Sequence, residues 1–376
     1  EFQLFLMTAV EPYDIRGSIL PALCTFRSKF DYDPVDRDGN HIEVPEKLRE
    51  MEATSEMCKL VHMYYFGHVV NAGKGSPSGG IYFDFSRFTD EQIDEMFEAV
   101  MDHFDGFYKH GYYHGESIID FRDLAKKKRR VEVGLTSEYS VGGIFVDENM
   151  FTGVPGLYAA GEAASGVFGA NRVADAVTEM LVQGYKAGEV AAARASEQTR
   201  VASDDAAIER AVGVLEKLLS NQGGIAVSEA IDRLGEISDK ALGMVRNETT
   251  LRAGVEAFET LGAEMDGISL RGKSLRYNRE LMQALAARNL LACSRVAAKM
   301  ALERRESRGL HLRDDYSYID NENWQVRQLA ELVNGEDKLS KKVPVVTRIP
   351  LRKAEKIDYE SFILEEDLGM KNMEES

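Results

Sequence analysis

One segment constrains the fold of this chain more than any other. It reads GLYAAGEAASGVFGANR and occupies residues 156–172. Its apolar start predicts a buried strand over 156–160, its small residues predict a turn over 161–171, and the following text predicts a helix from near Ala174 to Ala192. Small residues after a strand let backbone amides approach a ligand, and a helix N-terminus attracts negative charge. The segment therefore predicts a cofactor-binding turn, with Arg172 placed to meet a substrate carboxylate or another anion.

Composition sets wider limits. The 376 residues are enough for two or three domains, and the formal net charge of -17 disfavours nucleic acid and anionic membrane surfaces as partners. The sequence has no run of about 18 apolar residues, so no membrane span is predicted. Cys24, Cys58 and Cys293 are scattered, which argues against an iron–sulfur cluster held by this chain alone, and the histidines show no metal-ligand spacing. We expect a cytoplasmic protein that reaches a membrane only through partner subunits, with no metal of its own.

Three motifs, in order, resemble those of the fumarate reductase, succinate dehydrogenase and L-aspartate oxidase flavoproteins. Residues 156–172 resemble the family's GLFAxGE…GANR, and residues 138–144, EYSVGGI, resemble its His-Tyr-x-x-Gly-Gly-Ile. Residues 306–324, which begin ESRGLHLRDD and end NENW, resemble its ESRGxHxRxD…ENW. The chain is identified as a divergent member of this family, and the resemblance covers the later part of a full-length member.

The usual dinucleotide-binding fingerprint, GxGxxG after a strand, does not occur near the start of the sequence. In the family this fingerprint lies upstream of the position that residue 1 resembles. We therefore expect an N-terminally truncated flavoprotein. The alternative is a complete protein that never contained the first half, which would leave the adenine and pyrophosphate of a flavin nucleotide unheld.

The resemblance implies an α/β fold followed by an all-α helical bundle. The α/β part would comprise an α+β capping domain, which carries the substrate site, and part of an FAD-binding α/β domain. The predicted divisions are a capping domain fragment over 1–135, the C-terminal segment of the FAD-binding domain over 136–195, the helical domain over 203–325 and a C-terminal tail over 326–376.

Local patterns predict several individual elements. A short strand is predicted over 81–85, followed by Thr89 as the N-cap of a helix from Asp90 to about Phe107. Leucines recur at i, i+3 and i+4 from Leu215, which is typical of a buried helix face. A strand is also predicted in the tail over 343–346.

FAD is the cofactor that the resemblance implies. Glu162 corresponds to a glutamate that accepts hydrogen bonds from the ribityl hydroxyls, and the alternative is a solvated loop acid. The helix after Arg172 would aim its amides at the flavin, although Ala176, Val177 and Thr178 stand where the family has Asn-Ser-Leu. The residues assigned to the cofactor are Gly142, Gly143, Gly161, Glu162, Asn171, Ala176 and Val177.

Arg172, Glu138 and Arg27 are the candidate catalytic residues. Arg172 matches the family's substrate-carboxylate arginine, and the alternative is an ion pair with Glu162 or Asp175. Arg27 is the nearest counterpart of the proton-donating arginine of the capping domain, with Arg16 as a rival. The text around Arg27 also resembles the adenylylsulfate reductase flavoprotein.

Two departures from the family pattern bear on the substrate. Glu138 and Leu6 stand where the family has histidines that bind a dicarboxylate. At about 4 Å and an effective dielectric constant near 20, two like charges repel by roughly 4 kcal/mol, so an ionised Glu138 would bind a dicarboxylate poorly. Either Glu138 is protonated and acts as an acid, or the substrate is neither fumarate nor succinate.

The motif around Arg308 and His311 has two interpretations. One is that His311 is a catalytic acid. The favoured one is a salt-bridge network of Arg308 and Arg313 that fixes an interface with an iron–sulfur partner. Its acidic members would be Glu306, Asp314 and Asp315.

The resemblance implies an enzyme, an FAD-dependent oxidoreductase subunit. Hydride would move between flavin N5 and a small anionic substrate, and electrons would be exchanged with a ferredoxin-like iron–sulfur subunit. One alternative is a non-catalytic electron-relay paralogue, which the absence of both histidines suggests. The other is a flavoprotein subunit like that of adenylylsulfate reductase.

Overall fold

The computed structural model describes most of the chain, in eight stretches. Strands and helices are both abundant, which agrees with the expected mixed fold, while the domain boundaries stay predictions. The boundary at 135/136 falls inside a strand. The described residues are 2–9, 33–43, 65–95, 121–166, 176–198, 203–309, 311–344 and 371–372.

Four antiparallel strands form the first sheet, in the order β1-β4-β3-β2. Ile81 pairs with Val133 and Phe83 with Val131, and all four side chains are buried, so one face of the sheet is a core face. The strands are β1 (Phe2–Ala9), β2 (Asp33–Val35), β3 (Ile81–Asp84) and β4 (Arg130–Val141).

Helical segments flank this sheet. A π-helical segment covers Tyr65–Lys74, and α1 (Phe121–Lys128) leads into β4. The Thr89 cap is confirmed, because the Gln92 amide donates to Thr89 Oγ1 at 3.2 Å and the Thr89 amide donates to Gln92 Oε1 at 2.9 Å. The helix that begins at Asp90 is described as far as residue 95, and its predicted remainder lies outside the described residues.

The segment over 156–160 is not the regular strand that was predicted. Residues 154–157 turn, with the Leu157 amide donating to the Val154 carbonyl at 3.0 Å and Gly156 at a φ of 83°. Only Tyr158 forms a bridge, to Phe151. A strand needs a partner along its length, and within the structure's described part this segment meets only the short stretch around Phe151. The predicted helix is confirmed as α2 (Ala176–Glu197).

Four helices build the second core. Leu218 is fully buried and Leu215 and Leu219 pack beside it, which confirms the predicted leucine stripe. Phe258 and Leu261 are also fully buried, and burying such side chains stabilises the fold by about 1.5–3 kcal/mol each. The helices are α3 (Asp205–Ser220), α4 (Val227–Ala241), α5 (Glu248–Met265) and α6 (Arg279–Glu303), with the short β5 (Val245–Arg246) between α4 and α5.

Short strands and a hairpin follow the helices. The hairpin turns at Asn334 and Gly335, both at positive φ, which suits a two-residue turn. The second strand of the hairpin ends at Lys342. Of the predicted strand over 343–346, Val343 and Pro344 are not in a strand, since Pro344 has no amide hydrogen with which to extend a ladder, and 345–346 lie outside the described residues. The elements are β6 (Leu312–Arg313), β7 (Tyr318–Ile319), α7 (Asn321–Trp324), β8 (Arg327–Val333), β9 (Glu336–Lys342) and β10 (Lys371–Asn372). None of the helices seen in the described stretches is long and apolar enough to cross a bilayer.

Candidate functional site

Two glycine-containing loops meet where β4 ends. Loop 142–144 follows β4, and loop 161–166 precedes α2. The Ile144 amide donates to the Ala163 carbonyl at 2.8 Å, and the Ser165 amide donates to the Ile144 carbonyl at 2.8 Å. Ile144 and Ala164 thereby form a parallel bridge. These two loops, called the paired loops below, are the predicted cofactor segment and its predicted neighbour.

Glycine is required where the paired loops touch. At Gly143, with a φ of 145°, a Cβ atom would lie 2.6 Å from the Ala163 carbonyl oxygen. That distance is too short for any side chain, so the backbones meet only because no side chain separates them. Gly142 and Gly161 also have positive φ, of 122° and 70°. The cofactor assignment of these three glycines stays a prediction, and the structure gives the backbone reason for their presence.

Helix α2 supports loop 161–166 through buried polar side chains that the sequence reasoning missed. Gln183 Oε1 accepts from the Gly161 amide at 2.7 Å, and Gln183 Nε2 donates to Glu179 Oε1 at 3.1 Å. Both side chains are buried. A Cβ atom at Gly166 would lie 2.8 Å from Glu179 Oε1, so Glu179 also contacts this loop. The available signal was two polar residues four apart on a helix that follows a glycine-rich turn.

Ala176 and Val177 were assigned to the cofactor from the start of the same helix. Ala176 is the first residue of α2, and the Val177 side chain is exposed. The assignment of both residues to the cofactor stays a prediction. Helix α2 begins at Ala176, close to the predicted start near Ala174.

Glu162 is exposed and is tied to β4. Its Oε1 accepts from the Ser140 amide at 2.7 Å, which links loop 161–166 to the end of the strand. This bond is a protein contact that the sequence reasoning did not include. The predicted ribityl contact stays a prediction, as does the alternative of a solvated loop acid.

Ser165 provides the clearest mark of a ligand position. Its hydroxyl is buried, and among the described residues it has no hydrogen-bond partner. A buried hydroxyl without a partner costs free energy unless another group satisfies it. Ile144, whose carbonyl accepts from the Ser165 amide, is about half exposed. Close-packed backbone, an unsatisfied hydroxyl and exposed apolar atoms fit a group with both polar and aromatic parts, as a flavin nucleotide has.

The two departures from the family's histidines lie on neighbouring strands. Leu4 pairs with Tyr139 and Phe5 with Ser137, so Glu138 is the extra residue of a β-bulge. Leu6 pairs with Thr136, two residues from Glu138 in the same strand. Bulges redirect side chains and are frequent next to functional sites. The backbone therefore brings Glu138 and Leu6 into one region, which the sequence alone did not establish.

The remaining candidate residues lie outside the described part of the chain. They are Arg16, Arg27, Asn171 and Arg172. Their assigned roles stay predictions.

The motif from Glu306 onwards forms a buried ion network, as predicted. Glu306 is fully buried and accepts from Arg304, from Arg308 at 3.0 and 3.1 Å, and from the Asp320 amide at 3.0 Å. Arg313 pairs with Asp315 at 2.7 and 2.6 Å. Asp314 differs from the prediction: it accepts from the Asn247 side-chain amide at 3.5 Å. The network holds the chain segment after α6 against the helices.

His311 is enclosed by this network. Its Nδ1 lies 3.2 Å from Arg246 Nη1, and its Nε2 lies 3.4 Å from the Arg304 carbonyl oxygen. Burial, together with the charge of Arg246, holds the pKa of His311 well below its usual range. Burial and the charge of Arg313 lower the pKa of Arg246 to about 10. The imidazole is therefore neutral and accepts from Arg246, which supports the structural interpretation over a catalytic acid.

Comparisons with known proteins agree with this arrangement. Residues 62–175 match the family model for an FAD binding domain, and residues 231–359 match the model for the C-terminal part of fumarate reductase flavoproteins. The fumarate reductase flavoprotein subunit of Haemophilus influenzae is 34% identical over 196 residues, which cover 51% of this chain and 33% of that protein. The fumarate reductase flavoprotein subunit of Helicobacter pylori is 31% identical over 218 residues, which cover 57% of this chain and 30% of that protein.

Solved structures of several flavoproteins are similar to this chain in fold. A quinol fumarate reductase structure from E. coli superposes with a TM-score of 0.70 at 22% identity, over 94% of this chain and 60% of that one, which shows the fold. The apo Sdh1 complex of Mycobacterium smegmatis gives a TM-score of 0.64 at 26% identity, over 87% of this chain and 56% of that one. An adenylylsulfate reductase from Archaeoglobus fulgidus, at 15% identity and a TM-score of 0.63, shares the fold alone.

The chain spans 33% and 30% of the two curated relatives described above. Its motifs, both family models and the fold identify the same group of proteins. The chain belongs to the fumarate reductase and succinate dehydrogenase flavoprotein family, and it carries part of an FAD-binding domain.

Proposed function

We propose that this chain is part of an FAD-dependent oxidoreductase subunit that acts on a small anionic substrate. One observation carries the proposal. The region that matches the FAD-binding family model contains the paired loops, in which backbone packs on backbone beside a buried Ser165 hydroxyl that has no partner among the described residues. A ligand with a hydrogen-bonding group would satisfy that hydroxyl, which supports a binding role for the paired loops.

The chain's own residues would hold the flavin in three ways. The paired loops present backbone at close range because Gly142, Gly143 and Gly161 carry no side chains. Ser165 offers a hydroxyl, and Glu162 offers a carboxylate for hydroxyl groups of the ligand. The start of α2 contributes a partial positive charge near residues 176–177. When bound, FAD supplies the capacity to accept or deliver a hydride.

Substrate binding would fall to charged residues near the flavin. Arg172 would bind the substrate carboxylate as a bidentate partner, and Arg27 would supply a proton. Glu138 would face the same substrate from the bulge in β4. Because a carboxylate there repels a second carboxylate of the substrate, the proposed substrate is a small acid other than fumarate or succinate.

Electrons would be exchanged with an iron–sulfur partner subunit. The family motif from Glu306 to Trp324 supports this part of the proposal, since its ion network holds the segment after α6 against the helices. The relatives named above are described as subunits of fumarate reductases, which is consistent with a multi-subunit assembly.

The test uses the full-length protein that contains this chain. Purified protein should show the two absorption bands of an oxidised flavin, and titration with a panel of small carboxylic acids should shift those bands for its substrate. Arg172→Ala should abolish the shift and lower turnover by at least about a hundredfold, because a charge-assisted bidentate contact would be lost. Arg210→Ala, at an exposed position in α3, is the control.

Two results would contradict the proposal. One is protein that never binds flavin after reconstitution with FAD. The other is an Arg172→Ala variant that keeps the spectral shift and turnover of the unchanged protein. A flavin that exchanges electrons with a partner but responds to no acid would favour the electron-relay alternative.

A further inference from the structure

The β8–β9 hairpin connects the helical region to the paired loops. On the helical side, Arg304 at the end of α6 holds the base of the hairpin. It donates to the Val326 carbonyl at 2.7 Å, to the Trp324 carbonyl at 3.0 Å and to Gln328 Oε1 at 3.0 Å. Arg304 is itself fixed by Glu306 in the buried network. The base of the hairpin is therefore as firmly placed as the network.

A second anchor holds the tip of the hairpin. Asp337 on β9 accepts from Arg295 at 3.0 Å and from Lys299 at 3.1 Å, both on α6. The Asp337 side chain is only 5% exposed. The Arg295 and Lys299 side chains are 31% and 25% exposed, so solvent partly screens these two ion pairs. Together with the Arg304 contacts they tie both ends of the hairpin to α6.

The base of the hairpin also reaches the paired loops. Arg327 Nη2 donates to the Gly166 carbonyl at 3.3 Å, and Lys342 Nζ lies 4.4 Å from the ring centroid of Phe145, the residue after loop 142–144. Arg327 and Lys342 are paired directly across the hairpin. One cross-strand pair of cations therefore contacts loop 161–166 and the residue next to loop 142–144.

Loop 161–166 is held from two sides as a result. From α2, Gln183 binds the Gly161 amide and Glu179 contacts Gly166. From the hairpin, Arg327 binds the carbonyl of the same Gly166. Loops that approach a cofactor open easily unless other elements fix them, because few apolar contacts hold them.

We propose that Arg327 and Lys342 are positioning residues that hold the paired loops in the geometry that binds FAD. Through them the helical region, by way of Arg304 and Asp337, fixes the shape of the flavin site. The link to FAD rests on the proposed function, whereas the link to loop geometry does not. The network around Glu306 thus controls the order of loop 161–166, about 140 residues earlier in the sequence.

The experiment compares full-length protein with Arg327→Met, Arg327→Lys and Lys342→Met. Hydrogen exchange is followed in peptides that cover residues 142–146 and 161–166, and FAD affinity is measured by adding FAD back to flavin-free protein. Arg327→Met should speed exchange in both peptides and weaken FAD binding, each about tenfold, because a hydrogen bond from a charged donor is lost. Arg327→Lys should restore part of both effects, and Lys342→Met should act mainly on 142–146. Peptides over 150–159 serve as the internal reference.

Arg252→Met is the matched control, since Arg252 is an exposed arginine whose ion pair lies within α5. The proposal is overturned if Arg327→Met exchanges and binds FAD as Arg252→Met does. If exchange changes but no version of the protein binds FAD, the positioning role stands and the proposed function fails. If Arg327→Met does not fold, Lys342→Met is used to test the proposal. Unchanged exchange over 142–146 in that folded variant overturns it.

Discussion

The paired loops and the Glu306 network are both recognisable motifs, yet different interactions hold them. In the network, every oxygen of the fully buried Glu306 carboxylate has a donor within the protein. In the paired loops, neutral backbone bonds and missing side chains set the geometry, and the Ser165 hydroxyl is buried without a partner among the described residues. The protein thus satisfies the Glu306 carboxylate by itself, whereas the Ser165 hydroxyl is left for a ligand to satisfy.

Breaking the network should have the largest effect. Glu306→Gln keeps the shape of the side chain but removes the charge that Arg304 and Arg308 share. Removing one partner of a buried ion pair costs about 3–5 kcal/mol, because the other charges stay buried. Urea unfolding of the full-length protein measures the loss. Glu248→Gln, which affects the exposed pair with Arg252, should leave the midpoint unchanged, and equal midpoints for both variants would show that the network is not a scaffold.

Forcing the paired loops apart should destabilise the fold less than breaking the network does. It should weaken FAD binding more. Gly143→Ala would place a Cβ atom 2.6 Å from the Ala163 carbonyl oxygen, which forces the two loops apart. We expect about 1–3 kcal/mol of destabilisation from such overpacking, and FAD binding lost or much weakened. Gly184→Ala is the control, since a Cβ atom there meets nothing within 4 Å and α2 should tolerate it. Full FAD affinity in Gly143→Ala would place the cofactor elsewhere.

Lowering the pH should reduce the free energy of unfolding through His311. This is the smallest of the three expected effects. Burial and Arg246 hold the pKa of His311 well below the value of 6.5 for an unperturbed histidine. Below pH 6.5 the unfolded chain binds a proton that the folded one excludes, so the free energy of unfolding falls as the pH falls. The expected loss is up to about 1.4 kcal/mol for each pH unit below about 6.5, and none above it.

The control for this pH dependence is the His311→Gln variant, whose side chain cannot take up the proton. Unfolding is measured between about pH 5 and pH 7.5 in both proteins, a range that brackets the ordinary histidine pKa. The difference in slope isolates His311 from the carboxylates. Equal slopes would mean that the histidine charges inside the fold.

Local features of this chain were predictable because a few neighbouring residues decide them. Thr89 caps its helix, the leucines around Leu218 face a core, and α2 begins next to the small-residue turn. Each follows from residues that are close together in the sequence. The prediction of a strand over 156–160 was wrong. Apolar composition predicts an extended segment, but such a segment becomes a strand only where another segment pairs with it.

The site was predicted in part. The glycines that allow the paired loops to meet were identified, since their pattern is continuous in sequence. Gln183 and Glu179 were missed because the loop that they support lies 13 to 22 residues earlier in the chain, counted from Gly166 and Gly161. The bulge at Glu138 depends on the register with β1, more than 130 residues away, which no local pattern encodes.

Motifs and periodicities were sufficient to establish the family, the mixed fold, the position of the glycine loops and most members of the buried network, because short stretches of chain carry them independently. Three other properties emerged only from the folded chain. Glu138 and Leu6 share one region, burial lowers the pKa of His311, and Arg327 and Lys342 contact loop 161–166 and the residue next to loop 142–144. They depend on distances between residues far apart in sequence. Packing sets such distances, together with the burial that shifts a pKa.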